Sequence, residues 1–223
     1  MFFARNTEGA SLRTQQGDFM ARTFGSIALS RNILLREFVR KSIHITIAII
    51  PFLASWNYEV TLAMMAFGVL FYVANESARV EGRRDSPLSR VTEIAARPAE
   101  DGFVWGPVTL VFGAMLALIF FPLPAATVAI YALAFGDGLA SLAGKIWGKQ
   151  SQWKIGKKTF VGSLACFLAV AVSSYGVLQS FLAALLMATV ATLLEMIPFR
   201  DADNVVIPLG TGFVATLMLA FFL

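Results

Sequence analysis

One aspartate lies inside a strongly apolar stretch of the chain. Asp137 sits within Ala-Phe-Gly-Asp-Gly-Leu-Ala-Ser-Leu-Ala-Gly, residues 134 to 144. A charge at depth in a bilayer costs at least about 2.5–3.5 kcal/mol on insertion scales, so it needs a partner and usually a role. Steps of four, three and four place Asp137, Ser141, Gly144 and Gly148 on one helical face, flanked by Gly136 and Ala140. A carboxylate above a strip of small residues admits two uses. The strip allows close helix packing or the approach of a phosphate-bearing ligand. Asp137 itself serves either a buried ion pair or a charged ligand.

The next polar stretch reads Gly-Lys-Gln-Ser-Gln-Trp-Lys-Ile-Gly-Lys-Lys-Thr-Phe-Val-Gly-Ser, residues 148 to 163. Backbone amides at a helix start, beside Lys157, Lys158, Thr159, Gly162 and Ser163, make an anion site. Inner-face topology also accounts for the lysines, though not for the hydroxyls and glycine that follow them. The pattern is not a Walker A loop, because Ser151 stands where the first glycine belongs. Nor is a protein-kinase glycine loop present.

Three further carboxylates, Glu76, Glu195 and Asp203 (followed by Asn204), fall near the same ends of apolar runs as Asp137. Such oxygens suit Mg²⁺, which takes one or two carboxylates plus substrate phosphates. Glu195 has the alternative of pairing with Arg200 or a lysine. His44 is the only histidine and follows Arg40 and Lys41. It serves as a general base or as a hydrogen-bonded interfacial anchor.

These groups need a scaffold, and the composition names it. Of 223 residues 57% are hydrophobic and 14% charged, with a mean hydropathy of +0.71. A soluble domain carries about 25% charge. Disorder, a disulfide scaffold and an ordinary cytosolic enzyme are excluded. The lone cysteine, Cys166, has no partner for an intrachain disulfide. The net charge of +4 sits in short loops between apolar runs, which speaks for membrane topology and against nucleic acid.

Seven apolar runs stand out, at 44–56, 59–75, 104–121, 125–141, 160–177, 181–197 and 205–223. Spans need roughly 20 residues, and the first run, short and holding Pro51, is the weakest. All 18 Lys and Arg fall before the first run, in 77–103, in 142–159 or just after the sixth run. The links at 57–58, 122–124 and 179–180 hold none. By the positive-inside rule the N-terminus is cytoplasmic. The expected fold is an all-α polytopic membrane helix bundle of about seven transmembrane helices. The expected organisation is a cytoplasmic N-terminal segment, 1–41, and a transmembrane catalytic domain, 42–223. Within the former, residues 26–41 read as a basic amphipathic helix on the inner leaflet, and 1–25 as disordered. No cleavable signal and no internal repeat of the transporter kind is visible.

The ordered set Arg40-Lys41-x-x-His44, Glu76-x-x-Arg79, Gly136-Asp137-x-x-Ala140-x-x-x-Gly144, Lys157-Lys158-Thr159-x-x-Gly162-Ser163, Glu195 and Asp203-Asn204-x-x-x-Pro208 resembles the CTP-dependent lipid-alcohol kinases. These are the dolichol and other polyprenol kinases, phytol kinase and the CTP-type diacylglycerol kinases. The resemblance runs from Arg40 to Pro208, and the size is similar to bacterial members. It implies that Arg40, Lys41, Asp137 and Gly144 match positions important for activity in the diacylglycerol branch. It also implies that Lys157-Lys158-Thr159 matches the proposed CTP-binding loop of dolichol kinase. Val161 stands where dolichol-kinase loops commonly carry Glu. The residues are also similar to part of the phosphatidate cytidylyltransferases, but the Ser-x-x-Lys-Arg and His-Gly-Gly…Asp-Arg signatures of that group are absent from the sequence.

The expected activity is Mg²⁺-dependent transfer of the γ-phosphate of CTP to a membrane lipid alcohol, at the cytosolic face of a bacterial inner membrane. Asp137, Arg40, Lys41 and His44 are the expected catalytic residues. Gly144, Gly148, Lys157, Lys158, Thr159, Gly162, Ser163 and Asn204 would hold the nucleotide. Asp137, Asp203, Glu195 and Glu76 would hold the metal. The competing class is a proton- or ion-coupled transporter, whose paths intramembrane carboxylates also mark. Clustering at one interface, away from the midplane, argues against it.

Overall fold

The computed structural model describes residues 34–83, 86–96, 102–148, 154–155, 158–197 and 202–221. Lys157, residues 1–33 and the 26–33 part of the expected interfacial helix lie outside them.

Five helices are long and apolar enough to cross a membrane: Leu34–Trp56 (α1), Tyr58–Val80 (α2), Leu123–Ile146 (α5), Phe160–Leu178 (α6) and Asp203–Phe221 (α8). Two shorter apolar helices are Gly106–Phe120 (α4) and Phe181–Met196 (α7). The chain is thus an integral membrane helix bundle, and an apolar helix overlaps every one of the seven runs. A further polar helix, Pro87–Ala95 (α3), lies between α2 and α4.

Local chemistry explains the ends. Asn57 accepts from the Val60 amide (3.0 Å) to start α2, and Ser180 from the Ala183 amide (3.4 Å) to start α7. Ser86 caps α3, with Pro87 in its first turn. Pro51 does not break α1. A 3₁₀ stretch at Ile47–Ile49 lets the Ile50 amide bond the Ile47 carbonyl, the group that Pro51 cannot serve. The first apolar run thus lies within the helix Leu34–Trp56.

Pro208 likewise sits inside α8. It has no N–H for the Asn204 carbonyl, and Gly113 of α4 lies against that carbonyl. A Cβ on Gly113 would fall 2.0 Å from its oxygen. The two helices therefore meet backbone to side-chain-free backbone.

Helix α5 is the hub. Two thirds of its apolar window (67%) is buried, against 17% for α2. It packs on α1, α4, α6 and α8. Val128, Val170, Met187 and Ile207 form one core with it, and Ile47, Met65, Leu110 and Leu133 form another. Fully buried alanines such as Ala114, Ala117, Ala129 and Ala188 bring backbones close, as suits association where lipid is as apolar as the side chains. Outward-facing Phe52, Phe67 and Leu182 are largely exposed, a surface for lipid.

One small departure from an all-helical chain precedes α6. Lys154–Ile155 (β1) pairs antiparallel with Lys158–Thr159 (β2), in register Lys154 to Thr159 and Ile155 to Lys158.

Candidate functional site

Asp137 closes a π-helical segment, Ala132–Asp137, in the middle of α5. Such segments recur at functional sites because the extra residue per turn shifts a side chain off the regular helical face. Its carboxylate meets α1. The Lys41 ammonium donates to Asp137 Oδ2, and His44 Nδ1 lies 3.4 Å from the same oxygen. Lys41 and His44 stand one turn apart, three residues along α1, and so share a face. All three are buried: Lys41 is 4%, Asp137 5% and His44 7% exposed. The two charges compensate each other, and removing one partner of such a buried pair costs about 3–5 kcal/mol.

The cluster borders a cavity of about 180 Å³. Helix α1 contributes Arg40, Lys41 and His44, and α5 contributes Asp137 and Ser141. Lys158 enters from β2, and Asp203 and Asn204 from the start of α8. Val104, Gly106 and Leu110 at the start of α4 and Ala95 at the end of α3 close the apolar side. Seven of the expected site residues thus converge from four elements. Asn204 also ties α8 to α4: its side-chain amide donates to Thr109 Oγ1 (2.9 Å) and the Gly106 carbonyl (3.3 Å).

A neighbouring cavity of about 210 Å³ takes Ser141, Gly144 and Lys145 from α5, Lys158 and Thr159 from β2, Gly162 and Ser163 from α6, and Glu195 from α7. The Lys158 ammonium donates to Glu195 Oε1. Thr159 caps α6, its hydroxyl accepting from the Gly162 amide (3.2 Å). The glycines on the α5 strip receive this threonine. A Cβ on Gly144 would lie 2.8 Å from Thr159 Oγ1, and one on Gly148 would lie 2.7 Å from it. Close packing is therefore one function of that strip, and Gly144 also borders the cavity.

Glu76 is not brought to either cavity. It is 1% exposed and bound on both oxygens. Arg79 Nε donates to Oε2 (2.8 Å) and Nη2 to Oε1 (2.6 Å), while the Val104 amide donates to Oε1 (2.8 Å). Arg79 also reaches the Gly102 carbonyl (2.5 Å), and the Tyr72 hydroxyl donates to the Val104 carbonyl (2.8 Å). The end of α2 thereby holds the segment that leads into α4 and forms one wall of the Asp137 cavity. That wall was not foreseen from sequence. Its one local signal is Gly106-Pro107, a helix start with Pro in its first turn.

Among the described residues no three His, Cys, Asp or Glu side chains group so as to hold a metal ion. Two carboxylates, Asp137 and Asp203, do border one cavity. That number suits Mg²⁺, which fills its remaining positions with water and phosphate oxygens.

The chain is similar to the protein described as "Probable phytol kinase, chloroplastic" from Triticum aestivum, with 25% identity over 248 aligned residues that cover 94% of this chain and 77% of that protein. No protein-family model matches the chain, and no solved structure matches it.

Proposed function

We propose that this chain is a lipid-alcohol kinase, transferring the γ-phosphoryl group of CTP to the hydroxyl of a membrane lipid at the cytoplasmic face of a bacterial inner membrane. Similarity to a phytol kinase along nearly the whole chain supports the kinase class. The observation that carries the reading is the convergence of Lys41, His44, Asp137, Lys158 and Asp203 on one cavity. Phosphoryl transfer asks for positioning and charge stabilisation more than for covalent chemistry, and this set offers both signs of charge in a small volume.

Each residue then has a task. Asp137 and Asp203 would hold Mg²⁺, which when bound neutralises charge on the β and γ phosphates. Lys41, kept in place by Asp137, faces the transferred group with Arg40 beside it. Lys158, and Lys157 next to it in sequence, meets the nucleotide phosphates. Thr159 keeps the start of α6 ordered next to them. Asn204 fixes the start of α8, and with it Asp203. The lipid hydroxyl attacks the γ phosphorus, the bond to the β-phosphate oxygen breaks, and CDP leaves.

The test is transfer of labelled γ-phosphate from CTP with Mg²⁺ in detergent, against diacylglycerol, undecaprenol, dolichol and phytol. A labelled lipid is the expected result, and the lane names the substrate branch. Pyrophosphate release on adding phosphatidic acid, with no labelled lipid alcohol, would make the chain a cytidylyltransferase. Neither product from folded protein would favour a transporter.

A further inference from the structure

We propose that Glu195 receives the acceptor hydroxyl and takes its proton, with the lipid chain lying in the groove between α6 and α7. The inference rests on the kinase reading above and assigns the acceptor half of that reaction.

Glu195 is 4% exposed, and only one of its oxygens is committed. Oε1 accepts from Lys158. Oε2 is buried and has no hydrogen-bond partner among the described residues. An unsatisfied buried acceptor is costly, the more so when charged. Such an atom is normally satisfied in the working state, and each exception calls for an explanation. Glu195 borders the cavity of about 210 Å³ between α5, α6 and α7. The ligand group that satisfies a carboxylate oxygen is a donor, and a lipid alcohol carries one, its O–H.

The surroundings fit an amphiphile. Next to this cavity lies a third, of about 320 Å³, and the two share Lys158, Thr159 and Ser163. Beyond those three the third is walled by Phe160, Leu164 and Phe167 of α6 and by Thr192 and Met196 of α7. Leu164 is 46% exposed, so this apolar wall reaches the surface of the bundle. An apolar chain lying along α6 and α7 therefore reaches the Glu195 cavity at Lys158, Thr159 and Ser163. Lys158 borders all three cavities. It therefore adjoins both the Glu195 cavity and the Asp137 cavity.

The step balances without a further reactant. The lipid oxygen forms its bond to the γ phosphorus as the bond to the β-phosphate oxygen breaks. That oxygen leaves with the electron pair on CDP. The hydroxyl proton passes to Glu195 Oε2.

The experiment compares wild type, Glu195→Gln, Glu195→Asp and Leu164→Trp in detergent with CTP, Mg²⁺ and the lipid alcohol that the wild type phosphorylates. Glu195→Gln keeps shape and lowers kcat at least about 100-fold, the scale of general acid–base catalysis, while CTP still raises the melting temperature as in wild type. Glu195→Asp recovers part of the rate. Leu164→Trp raises KM for the lipid about tenfold, a hindered apolar contact being worth about 1–3 kcal/mol, and keeps the CTP-induced shift. A Glu195→Gln rate within threefold of wild type overturns the assignment. A loss of rate together with loss of the CTP shift also overturns it, making Glu195 a nucleotide or metal residue. An unchanged lipid KM in Leu164→Trp removes the groove. Wild type that phosphorylates no lipid alcohol defeats the kinase reading itself, an outcome visible before any variant is made.

Discussion

Two buried carboxylates, Glu76 and Asp137, look alike by burial and charge and differ in everything that matters for chemistry. Glu76 pairs with Arg79 on its own helix, three residues on, and spends its remaining capacity on the Val104 amide. No cavity adjoins it among those described. Asp137 pairs with Lys41, 96 residues away on another helix, with His44 at the same oxygen, and it borders a cavity shared with Asp203 and Lys158. An ion pair in a membrane bundle therefore does not by itself mark a reaction centre. A closed pair fastens the backbone; a pair between helices at the edge of a cavity can meet a ligand.

Variants separate the two. The largest effect is expected at Asp137: Asp137→Asn lowers lipid phosphorylation about a thousandfold, the upper range for losing one preorganised electrostatic group, while the protein still inserts. Wild-type-like turnover would remove Asp137 from the metal assignment. Next is Lys41→Met, which leaves the Asp137 carboxylate uncompensated. It should lower activity about 100-fold and stability by about 3–5 kcal/mol. The double variant Lys41→Met/Asp137→Asn should recover melting temperature and no activity; recovery of both would reduce the pair to a fastening like that of Glu76. Glu76→Gln should show the opposite pattern, a lower melting temperature as the charge-assisted bonds weaken, with turnover per folded molecule within about threefold. The smallest effect is expected at Thr159. Thr159→Ala should cost about 1 kcal/mol as a lost helix cap, read as a small drop in melting temperature. A large rise in KM for CTP would show that the hydroxyl also meets the nucleotide.

The same contrast shows what could be read before any coordinates. The apolar runs were legible because lipid demands long apolar helices. Asp137 stood out because a charge inside such a run is expensive. Its partner did not, since nothing local links residues 41 and 137. Glu76-x-x-Arg79 carries one half of its pairing in its spacing; the other half, the Val104 amide, is remote in sequence. Gly144 and Gly148 were open to two uses, and only the position of Thr159 shows that they admit a neighbouring helix start. The paired strands before α6, two residues each, are too short for a strand pattern to register in the sequence. Pro51 was read as weakening the first span, because a sequence window does not show the 3₁₀ bond that absorbs it.

The central claim is that the Asp137 cavity performs phosphoryl transfer. The most direct test is labelled γ-phosphate transfer from CTP to the lipid alcohol panel, run side by side on wild type and Asp137→Asn after both are shown to be folded and CTP binding has been followed by thermal shift. The account predicts labelled lipid from wild type and none above background from the variant. Equal labelled lipid from both, or none from folded wild type, would contradict it.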